Sequence, residues 1–210
     1  MSRRHFMRLG AGTISGLTVA TGASAGSPAA QARLGQLAPA FELPDATGRR
    51  RLSTEFKGKV VVLEWSSPSC PFAAAQYTSK RMPTLQTWAK GEGVVWLTVL
   101  SSHPSRSDYL SGAQADAFNH QRGANPSALL IDASGSAGRA FGAMTANHMF
   151  IIVPDGTLVY EGGIDDSNSM QPDKVAASRN FVHAALRDIT AGRSVSTPRT
   201  EPFGCALAYA

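Results

Sequence analysis

Val60-Val61-Val62-Leu63-Glu64-Trp65-Ser66-Ser67-Pro68-Ser69-Cys70-Pro71-Phe72 reads as a short buried strand that turns through Ser and Pro and delivers a cysteine to the start of a helix. Pro71 suits the first helical position, because its missing N–H needs no partner there and its φ is already helical. Cys70 therefore falls at or beside the N-cap, where free backbone N–H groups and the helix dipole favour an anion. A thiolate so placed is a usable nucleophile at neutral pH, which makes thiol redox chemistry the first expectation.

Around this stretch the apolar pattern alternates between strands and helices. Leu37 to Leu43 reads as an opening loop and a short strand, Asp45-Ala46-Thr47-Gly48 as a turn, and Arg50 to Leu52 as a returning strand. The spacing predicts a helix from Cys70 to about Trp88, with Pro83 forcing a kink or restart. Gly93 to Leu100 is a second continuous apolar strand of the parallel, buried kind. A helix follows at about Ala113–Arg122, a strand at Ala128–Ile131 and a short helix at Gly138–Gly142. Met149–Val153 and Leu158–Gly162 form strands about Pro154-Asp155-Gly156, a strong turn signal. Asp173 to Ile189 is expected as one closing amphipathic helix, and a tail from Gly192 carries Cys205. That order implies an α/β fold, a mixed sheet with helices on both faces.

The chain has 210 residues and two cysteines, Cys70 and Cys205. An even pair in an oxidising compartment suggests a disulfide, static or cycling. The beginning of the chain argues for such a compartment. Ser2-Arg3-Arg4-His5-Phe6-Met7-Arg8 resembles a twin-arginine export motif. A weakly apolar stretch follows, then the small-x-small cleavage candidates Ala23-Ser24-Ala25 and Ala30-Gln31-Ala32. Residues 1–32 are accordingly expected to be a cleaved signal with the periplasm as destination. Residues 33–192 are then the domain and 193–210 the tail. The leader is too rich in Gly and Thr for a transmembrane helix, so no stable membrane insertion is expected after cleavage.

The formal charge of +5 includes three arginines and no acids within residues 1–32, so the mature chain would carry +2. That excludes an argument for nucleic-acid binding, which needs clustered Lys/Arg on the mature surface. Arg49-Arg50-Arg51 is the one dense basic run and reads as a solvated hairpin. No phosphate loop, dinucleotide fingerprint, zinc spacing or Ser/His/Asp set is present, so no cofactor and no metal is called for.

Leu37-Ala-Pro-Ala-Phe41, Ser67-Pro-Ser-Cys70-Pro-Phe72, His148-Met-Phe-Ile-Ile152 leading to Asp155-Gly156, and Gly204-Cys205 together span nearly all of the mature chain. In these features the chain resembles peroxiredoxin-like redoxins, the AhpC/TSA or thiol-specific antioxidant group. The resemblance implies a thioredoxin-like fold and a thiol-based oxidoreductase. Its substrate would be a small peroxide or a protein disulfide, and an external dithiol protein would reduce it.

Three departures bear on mechanism. The third residue after Cys70 is Ala73 rather than Cys, so any resolving thiol is Cys205 or belongs to another molecule. Ser67 fits the hydroxyl position of the family's Pro-x-x-x-Thr/Ser-x-x-Cys pattern, but position 63 is Leu rather than Pro. The family's peroxide-orienting arginine cannot be placed from sequence. Asn147 stands where a thioredoxin-like fold carries a cis-proline, so that loop is expected to be strained or differently shaped.

The candidate catalytic residues are thus Cys70, Cys205 and Ser67, with Glu64, Asn147 and His148 as possible support. Glu64 could accept a proton near Cys70, or be a solvated strand end or a paired structural carboxylate. His148 is expected in the loop opposite Cys70, as a proton carrier or a structural imidazole. Trp65 is expected to pack beneath the site. Gly204 and the Pro/Thr-rich approach suggest a mobile tail that reaches back, with Cys205 either resolving or forming a static staple. Two rival readings stand beside the oxidoreductase. One is a periplasmic copper-binding module using Cys70, Cys205 and His148-Met149. The other is a redox-inactive redoxin with a structural Cys70–Cys205 bond.

Overall fold

The run after Lys59 lacks polar alternation because it forms a strand buried along its whole length, with layers packed on both of its faces. The structure is a computed structural model that describes Met1 and residues 31–209. In chain order its elements are β1 (Glu42–Pro44), β2 (Arg50–Leu52), β3 (Val61–Ser66), α1 (Pro71–Thr78), α2 (Arg81–Gly91), β4 (Val95–Leu100), α3 (Gly112–Gln121), β5 (Ala128–Ile131), α4 (Ser136–Phe141), β6 (His148–Ile152), β7 (Leu158–Gly163), α5 (Pro172–Ala177) and α6 (Phe181–Thr190). The twin-arginine stretch and Ala23-Ser24-Ala25 lie outside the described residues. Among the described residues no helix is long and apolar enough to cross a membrane.

The main sheet has five strands in the order β5-β4-β3-β6-β7, and β1 and β2 form a separate hairpin. β3 runs parallel to β4, with Glu64 opposite Thr98, and antiparallel to β6, with Glu64 opposite Met149. Side-chain alternation then sorts the core onto two faces. Leu63, Trp65, Leu97, Val99 and Phe150 meet Phe41, Phe56 and the α4 residues Ala137 and Phe141 on one face. Val62, Trp96, Met149 and Ile151 meet Tyr77, Met82, Leu85 and the α6 residues Val182 and Leu186 on the other. α1 and α2 therefore cover the second face, and the site lies where β3 hands over to α1.

Two expected helices are each divided. The segment after Cys70 breaks at Ser79–Lys80, where Lys80 takes a left-handed backbone (φ 64°), and not at Pro83. Pro83 falls in the first turn of α2, where its absent N–H has no intrahelical partner to lose. The closing helix breaks between Ala177 and Phe181, because Asn180 caps the second part by accepting from the His183 N–H (2.7 Å). The tail is also not free. Its backbone runs along β7 and the loop before β6, with Glu161 N–H donating to Pro198 O (3.0 Å) and Leu207 N–H to Met144 O (2.9 Å).

Candidate active site

Cys70 is the N-cap of α1, with extended backbone (φ −87°, ψ 115°), and Pro71 is the first helical residue. The Cys70 N–H donates to Ser67 O (3.3 Å), closing the Ser67–Cys70 turn, and the Ala74 N–H donates to Cys70 O (2.9 Å), starting the helix. The side chain is buried at 1% exposure among Ala73 and Ala146, with Phe72 and Cys205 beside it. Its sulfur is bonded to that of Cys205 across a sequence separation of 135, with the two Cα atoms 5.6 Å apart. This separation lies in the ordinary disulfide range. The Cys205 N–H also points at the Cys70 sulfur (3.2 Å).

Ser67 is buried within the same turn, and its hydroxyl pairs with that of Ser69 (3.2 Å) rather than with the Cys70 sulfur. Arg122, which sequence reasoning could not single out, is brought to this turn by the end of α3. Its Nη1 donates to Ser66 Oγ (3.0 Å), while Nε and Nη2 donate to Asn119 Oδ1. The guanidinium is held over the Tyr77 ring (3.8 Å to its centroid) and the Phe118 ring (4.4 Å). A cavity of about 470 Å³ opens beside it, lined by Pro68, Ala74, Tyr77, Lys80 and Phe118 among others. The only local signal for Arg122 was its place at a helix end; the approach to Ser66 is made by the β3–β4–α3 connection.

Glu64 sits beneath α1 and is fully buried. Its carboxyl accepts from Tyr77 Oη (2.6 Å), Trp96 Nε1 (2.8 Å), Gln86 Nε2 (3.0 Å) and Thr98 Oγ1 (3.0 Å). It is therefore not a solvated strand end, and none of these bonds leads to Cys70. Burial, with the Glu64 charge adding to it, holds the Tyr77 phenol well above its ordinary range. Trp65 lies on the opposite face, where its Nε1 donates to Ser101 Oγ (3.0 Å) and its ring meets Phe141 and Phe150.

His148 does not lie in a loop opposite Cys70. It is the first residue of β6, and because Met149 shares the Glu64 face, alternation turns the imidazole to the other side of the sheet. There it stacks on Phe150 (4.4 Å between centroids), and Nδ1 accepts the Met144 N–H (3.2 Å). Of the donor set of the copper reading, Cys70 and Cys205 with His148-Met149, the last two thus point to opposite faces of the sheet, and His148 Nδ1 is taken by the Met144 N–H. Among the described residues no group of three or more His, Cys, Asp or Glu side chains is placed to hold a metal ion.

Burial holds His148 down at about 4, against an ordinary value of 6.5, so it is neutral near pH 7. Unfolding restores the ordinary affinity, so the unfolded chain takes up the extra proton between those two values. Stability is therefore full above pH 6.5 and falls as the pH drops through this window. The expected loss from this group is about 2 kcal/mol at pH 5. Urea unfolding at pH 5 and 7.5 should show that difference shrinking in His148→Phe. An unchanged difference would assign the acid sensitivity to other groups.

Asn147 adopts a left-handed backbone (φ 67°), and the peptide bonds of the described residues are all trans. The loop is thus differently shaped from one built on a cis-proline. The Asn147 N–H donates to Trp65 O (2.8 Å), and the side-chain amide is fully buried with neither polar atom paired. Positive φ and an orphaned amide are both unfavourable for an ordinary residue, which marks this loop as a strained element beside the disulfide.

A mixed sheet covered on both faces, with a buried cysteine at the N-cap of the helix after its central strand, defines a redoxin of the thioredoxin-like superfamily. The chain belongs to the AhpC/TSA family, whose sequence pattern matches residues 34–161. Cys205 and the tail lie beyond the matched stretch. In fold it is similar to a hypothetical protein from Sinorhizobium meliloti 1021, with a TM-score of 0.73 and 24% identity over 85% of this chain and 95% of that one. An uncharacterized conserved protein from Geobacillus kaustophilus gives a TM-score of 0.73 at 22% identity, covering 85% and 93% of the two chains. A Chlorobium tepidum protein proposed as the thiol:disulfide interchange protein DsbE gives 0.52 at 22% identity, covering 63% and 86%. No curated protein gives a match to this sequence.

Proposed function

We propose that this chain is an exported thiol oxidoreductase that reduces peroxides, with Cys70 as nucleophile and Cys205 as resolving thiol. The observation that carries the reading is the Cys70–Cys205 bond, formed at the start of α1 by a cysteine that the docked tail delivers. In the first step the Cys70 thiolate attacks one peroxide oxygen and the O–O bond breaks. Cys70 becomes a sulfenic acid, and the other oxygen leaves as alcohol or water after taking a proton. Cys205 then attacks the sulfenic sulfur, the S–O bond breaks, water leaves and the disulfide forms. An external dithiol protein returns both sulfurs to thiols by exchange. In this reading Ser67 and Arg122, whose guanidinium reaches Ser66, would orient the peroxide. Export by the twin-arginine route suits this cycle, because it places the cysteine pair in an oxidising compartment.

The test is intact-mass measurement and peptide mapping of the reduced mature protein after one equivalent of hydrogen peroxide. A rapid Cys70–Cys205 disulfide is expected. Two unchanged thiols would remove peroxide as substrate, leaving exchange with protein disulfides as the activity to assay.

A further inference from the structure

The tail that carries Cys205 is held by much more than the disulfide. Thr200 Oγ1 accepts the Gly163 N–H (3.0 Å) and pairs with Tyr160 Oη (2.7 Å), and the Thr200 N–H donates to Glu161 O (3.2 Å). Phe203 is buried against Phe72 (6.2 Å between ring centroids), and Tyr209 Oη donates to Ala143 O (2.6 Å). On either side of the sulfur, the Ala146 N–H donates to Cys205 O (2.9 Å) and the Leu207 N–H to Met144 O (2.9 Å). Gly204 makes this approach possible: its φ is +130°, and a Cβ there would meet the Ala146 carbonyl oxygen at 2.3 Å. None of these contacts is made through the two sulfurs.

That docking leaves the Cys205 amide in an unusual role. Cys70 is buried against alanines and Phe72, where a thiolate is disfavoured by desolvation unless donors reach it. Pro71 removes the first N–H that a helix start would offer. Among the described residues, the one hydrogen-bond donor on the Cys70 sulfur is the Cys205 main-chain N–H. We propose that the C-terminal strap is the second half of the thiolate site: with the disulfide reduced it stays docked, and the Cys205 amide holds Cys70 as the thiolate before Cys205 resolves it. This rests on Cys70 being the nucleophile and deepens that reading, giving the tail a positioning role that is separate from its thiol.

The experiment follows the rate of iodoacetamide alkylation at Cys70 against pH, read by peptide mass, in three reduced chains. Cys205→Ala keeps the amide and loses the thiol. Cys205→Ala with Gly204→Ala displaces the amide by the clash with Ala146. A chain ending at Phe203 lacks the amide altogether. The Cys205→Ala chain is expected to match the wild type. The other two should require a pH about one unit higher, leaving about tenfold less thiolate below the midpoint. Circular dichroism confirms that each is folded, and the double substitution decides if the shortened chain is not. Equal profiles in Cys205→Ala and the double substitution overturn the proposal. So does a midpoint already raised in Cys205→Ala, which would assign the effect to the thiol. Alkylation needs no peroxide turnover, so a chain inactive toward peroxide still gives this answer.

Discussion

Cys70→Ser is expected to abolish turnover of peroxide and of disulfides alike, because a serine hydroxyl is not ionised at neutral pH and cannot form a mixed disulfide. Cys205→Ser is expected to consume one equivalent of peroxide and then stop, with Cys70 left as a sulfenic acid that dimedone traps. The comparison has to be made against the reduced wild type. The native bond closes a loop with a sequence separation of 135, and in the chain-entropy model losing such a loop costs about 5 kcal/mol. A variant assayed against the oxidised protein would confuse that loss with a chemical one. Stopped-flow peroxide consumption with mass readout separates them. Full turnover by Cys70→Ser would refute the oxidoreductase mechanism. Retained multiple turnover by Cys205→Ser would move the resolving role to another molecule and leave the observed bond as a staple.

Glu64→Ala is expected to cost on the order of 4 kcal/mol of stability. The carboxyl is fully buried and gathers donors from Tyr77, Gln86, Trp96 and Thr98, which join β3, β4, α1 and α2. Removing it strands Tyr77, Trp96 and Thr98 in the layer between sheet and helices and leaves Gln86 Nε2 only Tyr77 Oη (3.3 Å). A buried donor without a partner is unfavourable. Glu64→Gln should lose less, since one oxygen still accepts, but its NH2 group faces donors. Urea unfolding of the reduced proteins measures both. A folded Glu64→Ala with less than about 1 kcal/mol lost and greatly slowed turnover would make Glu64 a proton carrier. The geometry predicts the opposite pattern: a large stability loss, with turnover affected only as far as α1 is displaced.

The division of the Cys70–Trp88 segment shows where local reading has its edge. Pro83 correctly signals a helix start in that region, but it does not choose the turn at which the chain reverses. That choice falls to Lys80, whose left-handed backbone (φ 64°) sets the direction of α2. Cys70 at an N-cap was legible because Pro71 is its immediate neighbour and the constraint acts within one turn. Glu64 was ambiguous for the opposite reason. A carboxylate at a strand end looks the same in sequence if it meets water or four donors. Three of those donors come from residues 22 to 34 positions away, on α2 and β4.

What the sequence determined by itself is the order of strands and helices, the apolar runs that must be buried on both faces, and the delivery of Cys70 to a helix start. These follow from rules that operate between near neighbours, namely side-chain period, the restricted φ of proline and the missing N–H. Tertiary structure decided which face His148 takes, which arginine reaches the Ser66 turn, and that the tail lies docked with Cys205 against Cys70 instead of reaching back from solvent. Those outcomes depend on the register of β6 against β3 and on the close backbone approach that Gly204 permits. Register is settled by the packing of a whole face at once, and no window of neighbouring residues contains it.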